Sequence, residues 1–87
     1  MIRPEYRIIY AMKAYLRKIR KELGAYLRDI RMARGVSQLN LGVKIGVDQA
    51  HISRIESGDL DMRVGTLLLL CRALSIKLFT LFREIDV

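Results

Sequence analysis

The stretch GVSQLNLGVKIGVDQAHISRIESGDL, Gly35 to Leu60, constrains the fold more than any other part of this chain. It carries the start and stop signals of two short helices in succession. Gly35 follows Arg34 as a left-handed cap for whatever helix precedes it. Ser37 is then an N-cap, Val36 and Leu41 stand where a hydrophobic staple pairs them, and Gly46 ends the helix. The device repeats with Asp48 as N-cap, Val47 and Ile52 as the staple pair and Gly58 as the stop. Two helices joined by so short a glycine-containing turn pack at a steep angle. Gly42, in the middle of the first, costs about 1 kcal/mol relative to alanine, which makes sense if the second helix crosses closely over it. The second helix opens with polar side chains that a core has no use for: Gln49, His51, Ser53 and Arg54.

The flanking segments are also helical. From Glu5 to Arg34 apolar residues recur every three or four positions, at Ile9, Met12, Leu16, Ile19, Leu23, Tyr26/Leu27 and Ile30. This pattern predicts two helices meeting near Lys21–Gly24, with one long helix as the alternative. A further helix is expected from about Met62 to Leu74. The tail SIKLFTLFREIDV is expected to be a short helix rather than a strand, although KLFTLF is too short for periodicity to decide. The fold class is therefore all-α.

Composition removes several functions. The chain has 87 residues, 52% of them hydrophobic, enough for one modest core. A single cysteine, Cys71, permits no intramolecular disulfide and fits a reducing compartment. One Cys and one His argue against a zinc site, so no metal and no cofactor is expected. The apolar run VGTLLLLC stops at Arg72, short of a membrane span, and charges at Arg3, Glu5, Arg7 and Lys13 break any secretory leader. A cytoplasmic protein with no membrane partner is expected. No catalytic Ser/His/Asp set, phosphate-binding glycine loop or metal cluster is recognisable, so an enzyme is not expected.

The net charge of +7 is unevenly spread. Residues 1–21 carry seven basic side chains against Glu5 alone, whereas residues 22–87 carry nine basic and eight acidic ones. A basic, nearly acid-free segment suits phosphate or another anionic surface, the plainer reading being a solvated helix face or a frayed tail. Residues 1–21 are thus expected to be a basic N-terminal helix or arm, and residues 22–87 the main domain.

The sequence LRDIRMARGVSQLNLGVKIGVDQAHISRIESGDL, continued by VGTLLLLCRALSIKLFTLF, resembles the phage repressor/Cro-type (XRE-like) helix-turn-helix family. The resemblance spans roughly residues 22–82 and is carried by Arg31, Ser37–Gln38, Leu41, the small residue at 42, the IGV at 45–47 and the ISRIESG at 52–58. It implies a five-helix phage-repressor-like DNA-binding domain, here with an additional N-terminal helix. It also implies a structural ion pair between Arg31 and Glu56. The family's base contacts fall on Gln49, Ala50 and Arg54, on a recognition helix of about residues 48–57 that enters the major groove. Gln38 is expected to bond a phosphate, with His51 and Ser53 as further backbone or peripheral contacts and Arg17, Lys18 and Lys21 contributing from the basic segment. Leu69 and Phe79 fall outside the core in the family's register and are the expected homodimer contacts.

This sequence departs from the family pattern in two respects. Asp48, Asp59 and Asp61 place negative charge near the expected phosphates, which weakens non-specific binding. Leu39 and Val43 are apolar where relatives carry polar groups, and their i, i+4 spacing puts them on one face. The stripe Ile9, Met12, Leu16 and Ile19 is expected to cover an apolar surface, Leu39 and Val43 included, of its own domain or of a dimer mate. The expected function is a transcriptional regulator that binds an inverted-repeat operator in double-stranded DNA as a homodimer. Two alternatives remain: an antitoxin that neutralises a protein toxin and regulates its own operon, and a peptide-binding domain without DNA affinity.

Overall fold

The computed structural model describes residues 3–85; residues 1, 2, 86 and 87, the outer ends of the two expected segments, lie outside the described residues. A 3-10 turn at Pro4–Tyr6 leads into α1 (Arg7–Ala33). It is followed by α2 (Gln38–Ile45), α3 (Gln49–Ser57), α4 (Val64–Ala73) and α5 (Leu78–Glu84). No strand occurs among the described residues, and the tail is helical.

The two expected N-terminal helices are one. α1 runs unbroken for 27 residues through Lys21–Gly24. The reason lies in Gly24, which is not a hinge. A β-carbon at that position would stand 2.4 Å from the Ile55 carbonyl oxygen and 2.6 Å from that of Glu56. The glycine is there because the C-terminal turn of α3 lies directly against α1. Gly42 works the same way, with a β-carbon only 2.5 Å from the Val47 oxygen, so its neighbour is the turn before α3 rather than the body of that helix.

The caps follow the sequence closely. The Ser37 hydroxyl accepts from the Asn40 N–H at 3.0 Å, and an Asp48 carboxylate oxygen accepts from the His51 N–H at 2.8 Å. Gly35, Gly46 and Gly58 all adopt left-handed φ values, between 68° and 82°. α4 starts at Val64, two residues later than Met62, and its N-cap Arg63 makes no side-chain cap bond. Arg34 donates from Nε to the Leu74 carbonyl, tying the end of α1 to the end of α4.

All five helices contribute to one core. Leu27, Leu41, Ile52, Leu70, Leu74 and Leu81 are its fully buried large side chains, each worth about 1.5–3 kcal/mol of burial. Cys71 is buried among them, and burial pushes its thiol pKa up, which keeps it protonated and unreactive. α1 outgrows this core. Its length is about 40 Å at 1.5 Å per residue, and the molecule measures 47 × 26 × 20 Å. The radius of gyration of 14.5 Å exceeds the roughly 12 Å of a compact chain this long.

The excess belongs to the N-terminal half of α1. Ile9, Met12 and Leu16 are 49–59% exposed, and only Ile19 is partly packed against the core. The expectation that this stripe covers its own domain is therefore corrected. Leu39 and Val43 are likewise exposed. The stripe leaves the body because α3 and α5 meet α1 only along its C-terminal half.

Candidate nucleic-acid interface

The α2–turn–α3 unit is fixed to α1 by one buried polar network. Arg31 donates from Nε to Glu56 Oε2 at 2.6 Å and from Nη2 to Glu56 Oε1 at 3.0 Å, a two-pronged pair. Its Nη1 donates to the Val36 carbonyl at 2.8 Å. Both side chains are buried, and the bonds to Glu56 raise the guanidinium pKa against the opposing effect of desolvation. This is the ion pair the family resemblance implies. Removing one partner would leave the other charge buried and unpaired.

Gln38 joins the same network. Its amide nitrogen donates to Glu56 Oε1 at 3.0 Å, so one of its two N–H groups is already used inside the fold. The second N–H remains for an outside acceptor. The side chain expected to meet a phosphate is thus held by the residue that holds Arg31, which sets its direction before any ligand arrives.

On this support α3 presents a continuous exposed strip. Gln49, Ala50, Ser53, Arg54 and Ser57 are all solvent-exposed, while Ile52, Ile55 and Glu56 point inward. The spacing is one and three residues in alternation, which is a single face of a helix. Asp48 also lies here, but its carboxylate is committed to the His51 N–H as the cap. The cap bond orients this carboxylate but leaves its negative charge at the exposed start of α3. Asp59 likewise accepts from the Ser57 hydroxyl at 3.0 Å.

Two expected contacts sit differently from the rest. His51 is half-buried and lines a recess with Leu60, Asp61, Met62, Arg63 and Thr66, so it faces the loop after α3 rather than the exposed strip. Lys18 stands with its ammonium 3.9 Å from Glu22 Oε1. Arg17 and Lys21, four residues apart, take another flank of α1, and Arg28, seven residues further on, shares it.

Arg28 is the residue sequence reasoning missed. It is exposed and lines a cleft with Arg31, Gln38, Ser53, Glu56 and Ser57. A cation therefore stands beside Gln38 and the outer face of α3. Its signal was present in the chain, since it lies one turn before Arg31 and shares the side from which Arg31 reaches Glu56. Among the described residues no group of His, Cys, Asp and Glu could hold a metal ion, and no single helix is long and apolar enough to cross a membrane.

The helix-turn-helix domain family matches residues 22–77, which include the α2–turn–α3 unit, the Arg31–Glu56 pair and all of α4. The chain belongs to this family.

The helix-turn-helix protein is similar to the clp gene regulator ClgR of Corynebacterium glutamicum, with 29% identity and a TM-score of 0.73 over 76% of this chain and 85% of that one. It is also similar to the restriction-modification controller protein C.AhdI of Aeromonas hydrophila, with 32% identity and a TM-score of 0.68 over 71% of this chain and 94% of that one. No curated protein matches the sequence. The chain has the all-helical fold of XRE-like helix-turn-helix regulators. The family match begins at Glu22, so the projecting half of α1 lies outside it.

Proposed function

We propose that this protein is a sequence-specific DNA-binding transcriptional regulator that acts as a homodimer on an inverted repeat, with α3 in the major groove. The observation that carries this reading is the exposed strip Gln49, Ala50, Ser53 and Arg54, on a helix tied to α1 by the buried Arg31–Glu56 pair. Gln49 suits adenine N6 and N7, Arg54 suits guanine O6 and N7, and Ala50 suits a thymine methyl. Gln38, with its free N–H, and Ser53 would bond the backbone, with Arg28 lining the same cleft. Arg17 and Lys21 extend that basic flank along α1. His51 and Lys18 have smaller parts, since each already faces its own chain. Leu69 and Phe79, both exposed, are the proposed two-fold contact.

The test is selection from random DNA with the purified protein, followed by footprinting of the selected site. The reading expects an inverted repeat whose half-sites lie about one helical turn apart. A monomer bound to a single asymmetric half-site would contradict it. Leu39 and Val43 would serve a protein partner such as a toxin, and such a partner co-purifying at fixed stoichiometry would mark that second role.

A further inference from the structure

The projecting half of α1 carries a stripe of apolar side chains that nothing among the described residues covers. A helix draws most of its stability from packing such a face, and an uncovered one of this length signals a missing partner. The opposite side of the same segment is basic, so any partner must satisfy both features.

One surface of the molecule has the matching chemistry. Beside the packed half of α1, a groove of about 480 Å³ is lined by Glu22, Ala25, Tyr26, Asp29, Glu84 and Ile85. Among the described residues it holds three carboxylates and three apolar side chains, with no basic residue. Glu22 Oε2 is buried there without a hydrogen-bond partner. The groove shares no residue with the cleft of Arg28, Gln38 and Ser53.

The charges of α1 itself fix an orientation. Arg7, Lys18, Glu22 and Asp29 are 11, 4 and 7 residues apart, each close to a whole number of turns, so they follow one flank of the helix. Along that flank the first two are basic and the last two acidic. Two copies of α1 laid antiparallel bring the basic half of each over the acidic half of the other. Two copies laid parallel bring basic on basic. A two-fold axis requires this kind of self-complementary patch.

We propose that the projecting half of α1 docks in the acidic groove of a second copy of this chain, antiparallel to that copy's α1. Ile8 and Met12 would meet Tyr26 and Ile85 of the groove, with Arg7 and Lys18 beside its carboxylates. DNA and anionic lipid both suit the basic side of the arm, but neither answers three carboxylates. The inference takes a second copy as partner from the homodimer reading above, and uses a surface separate from Leu69 and Phe79.

The experiment is sedimentation equilibrium on the full-length chain without DNA, with far-UV circular dichroism to confirm that each variant folds. The arm variant carries Arg7→Glu and Lys18→Glu, and the groove variant carries Asp29→Lys and Glu84→Lys. All four side chains are exposed, and the pairs that Lys18 makes with Glu22 and Glu84 with Arg83 are surface pairs worth little, so the fold tolerates the changes. Each variant alone should dimerise at least about tenfold more weakly than the wild type. An equal mixture should form the heterodimer, because each reversed arm then meets a reversed groove. Wild-type affinity in both variants, or no heterodimer on mixing, would overturn the inference. A third variant, Leu69→Ser with Phe79→Ser, separates the two readings. Loss of the dimer there alone retires the arm and keeps Leu69 and Phe79, whereas loss in the charge variants alone keeps the arm and retires that pair. A wild-type chain that stays monomeric at about 100 μM would overturn both.

Discussion

Residues 22–33 of α1 and residues 7–18 carry the same apolar period, yet only the first stretch buries it. Leu23, Gly24, Leu27 and Arg31 are buried in the C-terminal half, and no residue of the N-terminal half is. The difference does not lie in the apolar residues, which are of similar size and spacing. It lies in what accompanies them. Gly24 lets the backbone of α3 approach, and Arg31 finds a carboxylate partner there. The projecting half has no glycine for close approach and, among the described residues, no charge with a distant partner inside the fold. Periodicity therefore tells which side of a helix is apolar, and the exceptional residues tell where the chain covers that side itself.

Substitutions can break this comparison in order of size. Glu56→Ala should cost about 3–5 kcal/mol in urea unfolding, because it strands the buried Arg31 guanidinium. Leu27→Ala in the packed half should cost about 2–5 kcal/mol by the same assay. Gly24→Ala should cost about 1–3 kcal/mol, since backbone oxygens rather than flexible side-chain ends stand in the way. Gly65→Ala in α4, where a β-carbon meets open space, should instead gain about 0.5 kcal/mol. At the small end, Leu16→Ala in the projecting half should stay within about 0.5 kcal/mol in a dilute sample where the chain is monomeric. A loss there as large as that of Leu27→Ala would mean that the two halves do not differ as described.

Much of the fold was legible because its signals are local. Ser37 and Asp48 cap the helices they precede, and Gly35, Gly46 and Gly58 take the left-handed conformation only because their own turns demand it. The helix break expected at Lys21–Gly24 was wrong for the opposite reason. A glycine within a helix signals either a hinge or a close approach, and the helix that approaches lies some thirty residues further along the chain. The exposed strip of α3 was legible from type and position. The second job of Gln38, holding Glu56, and the nearness of Arg28 to Ser53 depend on how α1 crosses α3, which no local pattern encodes.

On the proposed DNA complex, salt dependence should separate the two flanks of α1. Replacing Arg28 by alanine should lower the slope of log K against log salt by about 0.9 for the lost phosphate contact. Lys18→Ala should change it less, because Lys18 already faces Glu22. Equal slopes for the two variants would remove the distinction between these flanks.

The exposed strip of α3 is proposed to read bases. The most direct measurement compares the wild type with a folded Gln49→Ala, Arg54→Ala double variant against every single-base change in the selected site. Each lost contact should cost about 1–3 kcal/mol on the cognate sequence, and preference should relax at two separate base positions while the others keep theirs. A folded double variant with wild-type affinity and an unchanged base preference would contradict it.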